Sequence, residues 1–134
     1  MTDRTGRYAS TDCYSAAAVA VLLVLTSAML LAMFTRTEPH PPLDVAPFAL
    51  GPFLAASLAI GTAAYLLVAR GARWGIWMAL LFALSALVSY GPQKYFDPAF
   101  PRIWPAVIVA QGAVAAILIR AVGAMRSGQG SAGW

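Results

Sequence analysis

Charge is what this chain has least of. Only 10% of its 134 residues are charged while 60% are hydrophobic, against roughly 25% charged in ordinary water-soluble domains. So little charge cannot clothe a folded surface of this size in water, and the expected solvent is lipid. Cysteine and histidine are nearly missing as well, with Cys13 and His40 the sole examples. A lone cysteine makes no internal disulfide and excludes a vitamin-K-reductase-like mechanism, which runs on paired thiols. A lone histidine excludes the paired axial ligation of a b-type haem bundle. No carboxylate lies within an apolar run, so a proton-coupled antiporter of the four-helix multidrug kind lacks its required group. No enzyme activity, no cofactor and no metal site is expected; His40, Asp44, Lys94 and Asp97 are the only acid–base candidates, and nothing in their spacing makes them converge.

The net charge of +4 comes from nine basic residues against five acidic ones. A nucleic-acid footprint needs Lys and Arg clustered on one face. Here they stand singly at the borders of apolar runs, the placement that membrane topology produces, and no nucleic-acid partner is expected.

Four apolar runs follow from those borders. Residues 14–34 are uncharged for a length that, as helix, covers about 30 Å, one hydrocarbon core. The run is longer than a signal-peptide core and continues into bulky Met33 and Phe34, so it reads as an uncleaved anchor, with Ser10, Thr11 and Asp12 as N-cap types before it. Residues 48–69 form the second run, 74–90 a shorter third and 103–124 the fourth, with Arg120 near its far end able to snorkel. The expected fold is an all-α integral membrane protein, a single domain over 1–134 with four transmembrane helices in an antiparallel bundle and a Gly/Ser-rich disordered tail over 127–134.

Orientation follows from counting Lys and Arg near the span ends. Arg4, Arg7, Arg70, Arg73, Arg120 and Arg126 fall on one side; Arg36, Lys94 and Arg102 fall on the other. That places both termini and the "RGAR" turn in the cytoplasm, of a bacterial inner membrane. All nine prolines then face outward. Pro52 and Pro105 are expected in the first turns of their helices, where a missing N–H costs no bond. "TRTEPHPPLDVAP", residues 35–47, favours an extended spacer.

The other outward stretch, "YGPQKYFDPAFPRIWP" over 90–105, is the most punctuated segment of the chain. Its prolines stiffen the backbone, and Asp97 before Pro98 resembles an N-cap followed by an N1 proline. Lys94, Asp97 and Arg102 have the spacing for a local ion network. Tyr90, Tyr95, Phe96, Phe100 and Trp104 suit an aromatic belt at headgroup level. Rigid aromatics beside Arg102 and Lys94 also suit partner docking. These eight residues are the candidate docking set.

Within the runs, small residues recur at close-packing intervals: Ala55, Ala59 and Ala63; Ser57 and Gly61; Ala79, Ala83 and Ala86; Ala106 and Ala110. Gln111 is the polar residue best placed to hydrogen-bond between helices, with Tyr65 a weaker candidate. The function expected is a non-catalytic accessory or assembly subunit in the bilayer, docking other membrane subunits. The alternative is a homo-oligomeric passive transporter or channel for a neutral solute, lined by Gln111.

Overall fold

A computed structural model describes residues 3–38 and 46–131. Among them the chain is all helical, with four α-helices, α1 (Asp3–Thr35), α2 (Gly51–Ala69), α3 (Gly75–Tyr90) and α4 (Phe100–Ser131), a π-helical turn Ala46–Leu50 before α2 and a 3-10 helix Pro92–Phe96 between α3 and α4. Stretches of all four are long and apolar enough to cross a membrane: Cys13–Thr35, Phe48–Ala69, Gly75–Phe96 and Phe100–Gly128. Each helix packs on the next, α1 also meets α4 and α3, and α2 and α4 do not touch.

The buried positions explain this packing. In α4 they are Val107, Ala110, Val114, Ile117 and Ala121, a seam spaced three and four residues apart. Leu54, Ser57, Gly61, Ala64 and Val68 do the same in α2. Around the centre stand Val19 and Leu22 of α1 and Phe82 of α3, all fully buried. The outward positions are just as greasy: Val24, Leu31, Phe34, Leu66, Leu81, Val88 and Ile119 are exposed. Apolar surface on that scale is sustained in lipid and not in water.

The small-residue stripes separate accordingly. Ser57 and Gly61 are interior, as are Ala79, Ala83 and Ala86, whereas Ala55 and Ala59 face outward. A Cβ on Gly61 would fall 2.7 Å from two Phe82 ring carbons and 2.8 Å from Leu23 Cδ2. The missing side chain of Gly61 therefore leaves room against α2 for Phe82 of α3 and Leu23 of α1. Ala55 and Ala59 were expected in the same role, but side chains as small occur on every face of an Ala-rich helix.

Helix ends differ from expectation in three places. α1 does not begin behind Ser10–Asp12; it starts at Asp3. Extending an existing helix costs far less than nucleating one, and Ser, Thr and Asp are weak formers, not breakers. α4 likewise runs to Ser131, through the stretch from residue 127 expected to be disordered. It also starts at Phe100, which puts Pro105 inside the helix and not in its first turn. The carbonyl of Pro101 thus has no N–H four residues on to accept from.

The turn between α2 and α3 is a Schellman motif. Ala72 N–H donates to Leu67 O at 2.9 Å and Gly71 N–H to Val68 O at 3.0 Å, with Gly71 at φ +66°. α1 ends in a similar way, Thr37 N–H donating to Ala32 O at 3.0 Å, but the left-handed residue there is Arg36, at φ 53°.

Candidate functional site

The stretch that follows α3 is built from a Gly-Pro stop. Gly91 and Pro92 end the helix, and Pro92–Phe96 continue as a 3-10 helix. Ending α3 leaves its last carbonyls without backbone donors. Gln93 supplies them: its Nε2 donates to Leu87 O at 3.1 Å and to Val88 O at 2.8 Å. Gln93 was not among the expected site residues. The available signal was an amide directly after a Gly-Pro helix stop. A Cβ on Gly91 would collide with Leu87 O and Gln93 Oε1, so this capping geometry requires glycine.

Gln111 then ties the 3-10 helix to α4. The Tyr95 hydroxyl donates to Gln111 Oε1 at 2.7 Å, and Gln111 Nε2 donates to Tyr90 O at 3.1 Å. Its carboxamide thus uses both ends on the neighbouring segment. Tyr90 itself is buried, and its hydroxyl donates to Leu25 O of α1 at 2.8 Å. Tyr90 is a packing residue and is withdrawn from any docking face. Tyr65 is exposed on α2, a helix that does not touch α4, so it shares no site with Gln111. Thr62 and Ser85 bond to Leu58 O and Phe82 O of their own helices.

Asp97 caps the entry to α4. Its Oδ1 accepts from Ala99 N–H at 2.9 Å and its own carbonyl from Phe100 N–H at 2.9 Å. Lys94 Nζ pairs with Asp97 Oδ2 at 3.2 Å. The Ala99 N–H foremost, and then Lys94, hold the Asp97 carboxyl below its ordinary range against the opposing effect of partial burial. Arg102 does not join this pair. It reaches instead to Glu38, beyond the end of α1, with Nη1 to Oε2 at 2.6 Å. The expected three-residue network is two separate pairs, because Asp97 is already committed to its cap and Lys94.

What remains outward is aromatic. Phe96 is 91% exposed, Trp104 52% and Tyr95 44%. Phe100 is partly buried against the core, its ring centroid 5.2 Å from that of Tyr95 at 51°. Of the docking set, then, Phe96, Trp104, Tyr95 and Arg102 are exposed, Phe100, Lys94 and Asp97 are partly buried, and Tyr90 is buried.

His40, Asp44 and Pro39–Pro42 lie outside the described residues. Among the described residues no three His, Cys, Asp or Glu side chains gather into a metal-holding group. Comparison of the chain with models of known protein families, with characterised proteins and with solved structures finds no match in any of the three.

Proposed function

We propose that this chain is a non-catalytic accessory or assembly subunit of a larger membrane complex, docking through the Phe96–Trp104 face. The observation that carries the reading is Phe96, almost fully exposed at the end of a 3-10 helix whose Gln93 and Tyr95 side chains tie it to α3 and α4. An aromatic ring held on a stiff platform loses little entropy on meeting a partner. The proposal includes an antiparallel bundle with both termini in the cytoplasm of a bacterial inner membrane. Six Lys/Arg on the terminal side against three on the proline side support that orientation. The alternative, a homo-oligomeric path for a neutral solute, rests on Gln111, and both ends of that carboxamide are engaged within the chain.

Purification from native membranes in mild detergent tests docking. The expected result is a discrete larger species that is lost with Phe96→Ala plus Trp104→Ala while thermal stability is kept. A chain migrating alone, or a complex indifferent to both substitutions, overturns the reading.

A further inference from the structure

At the opposite end of the bundle, the surface is set by arginine. Arg70 and Arg73 bracket the Schellman turn, whose geometry is held by Ala72 N–H to Leu67 O and Gly75 N–H to Ala72 O, at 2.9 and 2.8 Å. Both side chains are exposed, as is that of Arg126. α4 packs along α3, and Arg126 lies fifteen residues past Gln111, close to the 16-residue length of α3. None of the three has an ion pair among the described residues. The sequence holds no Asp or Glu from 45 to 96 or after 97. In the N-terminal arm Arg4 and Arg7 match Asp3 and Asp12 in number, so that arm leaves the balance unchanged. Beside the turn stand Trp74, 68% exposed, and Trp77, partly exposed one turn into α3. Indole rings settle at the headgroup level of a bilayer, which fixes the neighbouring arginines at the depth of the phosphates.

We propose that this arginine end is a docking surface for anionic phospholipid headgroups, with Arg70 and Arg73 as its principal contacts and Arg126 as a flanking charge. Guanidinium groups bind phosphate oxygens through paired N–H donors. Three cations with no ion pair among the described residues favour a headgroup of net negative charge over a zwitterionic one, whose own cation they repel. The inference does not depend on the docking face, which lies at the other end.

Quenching of tryptophan by brominated lipid tests it. Trp104 and Trp134 are replaced by Phe so that only Trp74 and Trp77 report. The full chain is then reconstituted in phosphatidylcholine bilayers doped with brominated phosphatidylglycerol or, at equal mole fraction, brominated phosphatidylcholine. The expected result is stronger quenching by the anionic lipid, a preference reduced about fivefold for each arginine removed in R70Q/R73Q. R70K/R73K is expected to retain most of it, and R102Q, at the far end, all of it. Equal quenching by the two lipids, or a preference unchanged in R70Q/R73Q, overturns the proposal. Inorganic phosphate is compared with chloride at matched ionic strength. An equal effect of the two supports a lipid surface, and selective loss in phosphate points to a soluble anion instead and overturns it.

Discussion

Gln111 and Tyr95 are sixteen residues apart in sequence and joined by a 2.7 Å hydrogen bond, hydroxyl to carboxamide oxygen. That bond and the one from Gln111 Nε2 to Tyr90 O make a side chain within a membrane-spanning helix the clasp of the connector before it.

Gln111→Leu removes both bonds and is expected to destabilise the fold by about 1–2 kcal/mol, the range for hydrogen bonds between membrane helices. Unfolding in mixed micelles measures this. A change within about 0.3 kcal/mol would mean that water or lipid replaces the clasp at no cost.

Gly61 and Gly112 should respond oppositely to the same methyl group. Gly61→Ala drives its Cβ into Phe82 and Leu23 and is expected to cost about 1–3 kcal/mol. Gly112 has nothing within 4 Å of the added Cβ, so Gly112→Ala is expected to be neutral or mildly stabilising. Parallel melting curves decide the matter, and equal effects would contradict the packing described.

Two left-handed positions form a second contrast. Gly71→Ala puts a side chain at φ +66° and is expected to cost about 1–2 kcal/mol. Arg36→Gly relieves the strain of φ 53°, offset by greater freedom in the unfolded chain, for a net gain of roughly 0.5 kcal/mol. If thermal midpoints moved the other way, Arg36 would be earning its conformation through its charge.

Asp97 should confer a pH dependence of known sign. Its carboxyl is held below the ordinary value of 3.8, so the folded state binds that proton more weakly than the unfolded state. The contribution is fully present above the ordinary range and is lost as pH falls through the depressed folded value. Asn caps helices as well as Asp does. Wild type is thus expected to lead Asp97→Asn at neutral pH and lose that lead on acidification below about pH 4. A constant gap across the titration would show that the carboxylate's charge plays no part. Asp97→Ala, which removes the cap itself, is expected to cost about 1 kcal/mol more than Asp97→Asn at any pH.

The spans were legible because charge marks their limits: Arg70 and Arg73 bound α2 and α3 in both the sequence and the structure. The inward faces were not legible, since lipid rewards apolar residues outside as much as packing does inside. Val88 and Ala86 look alike on paper, yet the first is exposed and the second buried. The pairing of Arg102 with Glu38 spans 64 positions and leaves no local pattern. Asp97 was legible as a cap because that interaction is local, whereas the use of Arg36 where glycine is the usual choice breaks the rule by which helix ends are read.

α3 has 16 residues, about 24 Å of rise, against 33 and 32 residues in α1 and α4. Gly91, extended at ψ −179°, ends the helical path before the 3-10 helix begins, so α3 alone falls short of the roughly 30 Å bilayer core. That flank is the molecule's gauge. In a thicker membrane the long helices can lean, but the short one has no length in reserve, so the surrounding annulus must thin beside it. Such hydrophobic mismatch sorts proteins toward thinner bilayers or toward neighbours that cover the short side.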